Sequence, residues 1–176
     1  MKVKKIITIA LFVTCVVGYA EEKRSHRGEQ VHFSAEADRV IKPVPLPKEV
    51  LDILKNDELV GDALENENIP SEKVPLSWFS ASTVHLSNPH KEDLVVMAVE
   101  SLSGANVTTF WVFRMTDRDY DLVLKAPAHD LIVMGTRWKG YRDIELLSMT
   151  ATQMSTVVCR FNGQRYEGHR TKTKTH

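Results

Sequence analysis

From Leu76 onward the apolar and β-branched residues come in short runs. These are Trp78–Leu86, Leu94–Val99, Val107–Met115, Tyr120–Leu124, Leu131–Met134, Tyr141–Leu147 and Thr156–Phe161, with a last short one at Arg165-Tyr166. Turn-forming pieces separate them: Ser87-Asn88-Pro89-His90, Ser101 to Asn106, Asp117-Arg118-Asp119, Ala126-Pro127-Ala128 and Trp138-Lys139-Gly140. Short strands at regular spacing predict a mostly β (α+β) chain, an antiparallel meander of about seven strands closed as a sandwich or partial barrel. Asn162-Gly163 between two such runs is a strong hairpin signal, because both residues tolerate positive φ. Phe110-Trp111-Val112-Phe113 is apolar on both faces, so this strand is expected at the centre of a sheet, covered on both sides.

The cover comes from upstream. Lys48 to Glu67 carries Val50, Leu51 and Leu54 on one helical stripe, and Pro47 suits a helix start because its missing N–H needs no partner there. One N-terminal helix over 48–64 is expected, with Gly61 ending its first part. Residues 21–47 show no hydrophobic period, and Pro43, Pro45 and Pro47 stiffen their end, so this stretch reads as an extended linker. Residues 168–176 have no apolar side chain and read as a disordered basic tail. One β-rich domain over 48–167 remains.

The chain opens with three lysines in its first five residues, then thirteen uncharged residues from Ile6 to Gly18, then Tyr19-Ala20 before a charged run. This is the pattern of a secretory signal peptide cut after Ala20. As a helix the apolar stretch reaches ~20 Å, short of the ~30 Å hydrocarbon core, so no membrane span is expected after cleavage. Phe12-Val13-Thr14 before Cys15 is a poor lipoprotein signal. The protein is expected in the periplasm or outside the cell. Of its two cysteines only Cys159 would remain, which excludes an intrachain disulfide. Lying in an apolar run, Cys159 reads as a small buried hydrophobe.

Charge sharpens this picture. The 176-residue chain has 23 Lys+Arg and 23 Asp+Glu. Without residues 1–20 the net charge becomes −3, and it is uneven: −5 over residues 48–73 (3 basic, 8 acidic) and +3 over the tail. A nucleic-acid binder would carry a basic excess, so no nucleic-acid partner is expected.

Candidate chemistry is thin. Asp117, Asp119 and Asp121 alternate like the start of a calcium loop, but Leu122 and Ala128 stand where such a loop wants Gly and Glu. They are weak metal candidates, better read as a solvated turn. His85, His90 and Asp93 share one loop, with His129-Asp130 on another turn, and a transition-metal site would need a fourth ligand. No nucleophile elbow, dinucleotide loop or phosphate loop occurs. The reading therefore assigns no catalytic residue and no cofactor. Binding candidates are Arg142 and Asp143, with Trp138 and Tyr141 as aromatics at a strand end. Asp143 is expected to accept hydrogen bonds from a turn or to pair with Arg114 or Arg137, fixing strand register.

The segment Val84-His85-Leu86-Ser87-Asn88-Pro89-His90-Lys91-Glu92-Asp93-Leu94-Val95-Val96 resembles a half-repeat of the FG-GAP or VCBS type, matching through Asp93 to Val96 and lacking the acidic loop. With Gly104-Ala105-Asn106, Tyr120 to Leu124, Gly140-Tyr141-Arg142-Asp143-Ile144 and the Phe161-to-Tyr166 hairpin, residues 76–167 resemble uncharacterised exported bacterial proteins built as one small β domain. The resemblance implies that fold and export, without an activity. Two functions compete. One is a non-enzymatic binding or interaction module with an unknown protein or cell-envelope partner, such as an envelope inhibitor or accessory protein. The other is a small secreted hydrolase, in which Asp143, Asp130 or His85 would converge in one cleft.

Overall fold

The computed structural model describes residues 28–175; the expected leader, with Ala20 and Cys15, lies outside the described residues. The elements are β1 (His32–Ser34), α1 (Lys48–Lys55), α2 (Glu58–Asn66), β2 (Phe79–Val84), β3 (Asp93–Ala98), β4 (Thr108–Met115), β5 (Tyr120–Ala128), β6 (Asp130–Trp138), β7 (Tyr141–Met149), β8 (Gln153–Phe161) and β9 (Tyr166–Thr175). They form a four-stranded sheet, β2-β3-β4-β5, and a five-stranded sheet, β1-β6-β7-β8-β9. All pairings are antiparallel. The sheets stack as a sandwich and do not close into a barrel.

The two-faced strand decides the layering. Phe110 and Val112 of β4 enter the core between the sheets, with Met97, Leu131, Val133, Ile144 and Phe161. Trp111 and Phe113 enter a second core on the opposite face, with Val50, Leu54, Val60 and Leu64 of the helices. Each fully buried side chain of this size contributes ~1.5–3 kcal/mol. Hence the order of layers is helices, four-stranded sheet, five-stranded sheet.

The helix is two helices, and Gly61 is not the break. Gly61 sits inside α2. The chain turns at Asn56-Asp57, where Asp57 is extended (φ −77, ψ 135) and its carboxylate accepts from the Leu59 N–H. Asp57 also accepts from the Trp111 indole N–H at 2.9 Å and from Lys125 Nζ at 3.0 Å. One carboxylate thus caps α2 and ties it to β4 and β5.

Three further expectations change. The linker contributes β1, which pairs with β6, and buries Phe33 and Val40 in the inter-sheet core. Val44 between two prolines still bonds to Ala81 of β2, since extended backbone with a free N–H at alternate residues can serve an edge. The basic tail is β9, paired along β8 from Tyr166↔Phe161 to Thr175↔Gln153. An edge strand needs backbone pairing on one side only, and its side chains can all be polar. Ala126-Pro127-Ala128 is the end of β5, not a turn. Pro127 is tolerated because β5 is an edge strand and the missing donor can face outward. The tight turn is Lys139-Gly140, both at positive φ (50 and 86), joining Trp138 to its partner Tyr141. At Asn162-Gly163 the Asn162 side chain accepts from the N–H groups of Gln164 and Arg165 at 2.8 and 2.9 Å, closing a longer hairpin loop.

Asp57→Ala removes the α2 cap and orphans a buried indole N–H. It should lower stability by about 2 kcal/mol, measured by urea unfolding.

Candidate functional site

Only His129 separates β5 from β6, so the chain changes sheets at this residue. Its N–H donates to the Leu147 carbonyl and its carbonyl accepts from the Ala35 N–H, both at 2.7 Å. Its Nδ1–H donates to the Asn106 carbonyl at 3.0 Å. His129 is thus the corner of the sandwich.

Beyond the corner, β6 pairs with β7 up to Val133↔Ile144 and resumes at Arg137↔Arg142. The intervening bulge leaves carbonyls without ladder partners. Arg142 takes them. Its Nε donates to the Met134 carbonyl at 2.7 Å and its NH2 to the Val133 carbonyl at 2.8 Å. Its NH1 donates to Glu29 Oε2 at 3.1 Å, a pair with side chains only 9% and 4% exposed. Glu29 Oε1 accepts from the His85 N–H at 2.6 Å. The Arg142 backbone is equally engaged: its N–H donates to the Leu86 carbonyl and its carbonyl accepts from the Tyr166 hydroxyl, both at 2.8 Å. Burial pushes the Tyr166 phenol well up, in keeping with a permanent donor. Arg142 therefore fixes register, and its guanidinium is buried away from any external partner.

Asp93 plays the neighbouring part. It is fully buried, and its two oxygens accept from the N–H groups of Leu86 and Met115, both at 2.8 Å. Burial raises its pKa, and the two backbone hydrogen bonds oppose that rise.

Asp143 points to the outer side of the five-stranded sheet. Its Oδ2 accepts from the Thr136 hydroxyl at 2.9 Å, and its Oδ1 lies 3.5 Å from Arg160 Nε. The expected partners were Arg114 and Arg137. Arg114 pairs instead with Asp121, and Arg137 donates to the carbonyls of Ser87 and Gly140. Arg160 stacks over the Trp138 ring at 4.9 Å and donates to His169 Nε2 at 2.8 Å. Trp138 is 45% exposed, whereas Trp78 and Trp111 are core residues. Tyr141 stacks on Phe161 at 4.2 Å. It lines a cleft of about 310 Å³ with Ser87, Asn88, Lys91 and Arg114. The four binding candidates thus divide: Arg142 inside, Asp143 and Trp138 on the outer face, Tyr141 at the end of the sandwich.

The aspartates of the β4–β5 turn do not converge. Asp117 pairs with Lys91, Asp119 accepts from the Tyr120 N–H, and Asp121 pairs with Arg114. Among the described residues no three His, Cys, Asp or Glu side chains are grouped to hold a metal ion. Cys159 is buried, and burial raises its thiol pKa. An acidic cleft of about 640 Å³ lies under α1, lined by Glu49, Asp52, Asp57 and Asp119. His85 lines a smaller one, about 290 Å³, with Glu29, Lys42 and Glu92.

Reading the sequence missed Glu29, Asp57 and Arg160. Asp57 had a signal, an Asp directly before an apolar-periodic segment. Glu29 had none, because its partner is more than a hundred residues away. These features define a two-sheet β sandwich with a helical layer on one side and polar clusters at its corner, bulge and outer face. No family model, curated protein or solved structure matches the chain.

Arg142→Ala leaves Glu29 buried and carbonyls orphaned, and should cost about 3–5 kcal/mol. Trp138→Ala, on the surface, should change stability by less than about 1 kcal/mol; thermal melts compare the two. Because the folded pKa of Asp93 is raised, its stabilising contribution is complete below its unfolded value near 3.8 and is lost as pH rises through the folded value. The stability of wild type relative to Asp93→Asn should therefore rise as pH falls from neutral toward 3.8, measured by urea titration at each pH.

Proposed function

We propose that this protein is an exported, non-enzymatic binding or interaction module of the periplasm or extracellular space. The supporting observation is how the polar groups are distributed. A hydrolase would bring Asp130, Asp143 or His85 together beside a reacting bond. Instead each has its own partners: Asp130 faces His32, Asp143 faces Thr136 and Arg160, and His85 faces Glu29. The outer side of the five-stranded sheet offers a different kind of surface. Trp138 is exposed there with Arg160 and His169 beside it, and a Trp–Arg pair is the side-chain chemistry common at binding hot spots. The resemblance of residues 76–167 to exported β-domain proteins points the same way.

The test is capture of cell-envelope components by the processed chain, residues 21–176. Material retained by the wild type should be lost with Trp138→Ala, a substitution at a side chain 45% exposed, with circular dichroism checking that the variant keeps its strands. Hydrolysis of a cell-wall substrate by the purified protein, abolished in Asp143→Asn, would overturn the reading in favour of a secreted hydrolase.

A further inference from the structure

The register of the five-stranded sheet turns the basic tail into a surface. Glu145, Val158 and Arg170 lie abreast on β7, β8 and β9; so do Leu147, Thr156 and Lys172, and Met149, Met154 and Lys174. Residues directly opposite in a sheet share a face, and alternate residues of a strand share it too. Arg170, Lys172 and Lys174 therefore form one straight row about 7 Å apart, while Thr171, Thr173 and Thr175 point to the other side. The inner face is identified by Ile144 and Cys159, which pair and lie in the inter-sheet core. The cation row is on the outer face. Beside it run Leu147, Met149 and Met154, which belong to neither core, with Met149 40% exposed, while Val158 on the same face is buried at 7% exposure. Among the described residues no helix packs on this face.

The charge of the whole molecule follows the layers. Residues 141–175, which hold β7–β9, carry 6 basic and 3 acidic side chains, whereas residues 48–73 carry 3 basic and 8 acidic. The acidic stretch contains the helical layer, which covers the far side of the other sheet.

Resting on the reading of this chain as a binding module, we propose that the outer face of β7–β9 docks onto an anionic lipid surface. An anionic bilayer attracts this face and repels the helical layer, so the molecule's own field orients it. Lysine and arginine stems lie along apolar surface with their charges extended toward headgroups, and the neighbouring thioethers and leucine suit the headgroup–acyl boundary. The face is a flat row and not a pocket: none of the clefts described above takes a lining residue from β8 or β9. A flat cation row matches a plane of headgroups better than a protein partner, which would seat anchors in pockets.

The experiment is co-sedimentation of the processed chain with phosphatidylcholine vesicles, with and without phosphatidylglycerol, at low and high salt. Binding is expected only to the anionic vesicles, and high salt should remove it. Lys172→Gln combined with Lys174→Gln should weaken it about 25-fold. Glu65→Gln combined with Glu67→Gln, on the helical side, should leave it unchanged or stronger. Circular dichroism checks that each variant keeps its strands. Equal binding to both vesicle types, or no binding at low salt, would overturn the proposal. So would a double lysine variant that binds as wild type but aggregates, since the row would then only guard a free sheet edge. Self-association at low salt without vesicle binding would make a second copy the occupant, and would overturn it as well. A protein captured through Trp138 with no vesicle binding would leave the binding-module reading standing while this inference fails.

Discussion

Phe110, Trp111, Val112 and Phe113 leave β4 no side that water can wet, and the rest of the architecture answers that constraint. A strand apolar on both faces must be covered twice. The five-stranded sheet supplies one cover and α1–α2 supply the other. The helices are short, eight and nine residues, too short to be stable alone in water. Their stability comes from the Val50, Leu54, Val60 and Leu64 contacts on the sheet. Asp57 fixes where they sit, because one carboxylate serves a helix terminus, a core indole and Lys125 together.

The second constraint is backbone satisfaction where the regular ladder fails. The sandwich changes sheets at His129 and bulges after Val133. Both places free carbonyl or N–H groups that would be costly to bury unpaired. Leu147 and Ala35 answer the first, and Arg142 answers the second. Arg142, Glu29, Asp93 and Tyr166 make a polar interior that specifies register and joins the segment before β1 to β7 and β9. This is why charged residues that look chemically available in the sequence are unavailable in the fold. Among the described groups facing solvent are the Trp138–Arg160 cluster and the cation row of β9, and the functional reading draws on these.

Much of the sandwich was legible because strand patterning is local. Runs such as Leu94–Val99 and Val107–Met115 fall within a residue or two of β3 and β4, and the double-faced burial of β4 followed from four consecutive apolar residues. The partition into sheets was not legible, since a turn at His129 reads the same whether the next strand stays in the sheet or crosses to the other one. The start of β9 at Tyr166 was legible from the hairpin signal, but its continuation through the tail was not, because those side chains are polar and their order comes from backbone bonds to β8. β1 was missed for a related reason: three residues carry no period, yet Phe33 fills the core. The sequence leaves Asp143 either accepting from a turn or pairing with an arginine such as Arg114 or Arg137. Its partners are Thr136 and Arg160, while Arg137 lies opposite Arg142.

By itself, then, the sequence determined the class of structure, the position of most strands, the buried centre and the separation of acidic and basic stretches. These rest on the period of apolar residues and on composition, which neighbouring residues already express. The tertiary structure alone decided which charges meet, which are buried and which share a face. Glu29 reaches Arg142 across more than a hundred residues, and Arg170, Lys172 and Lys174 form a row only when β9 is held in register by β8. Such pairings depend on distances that chain separation does not encode.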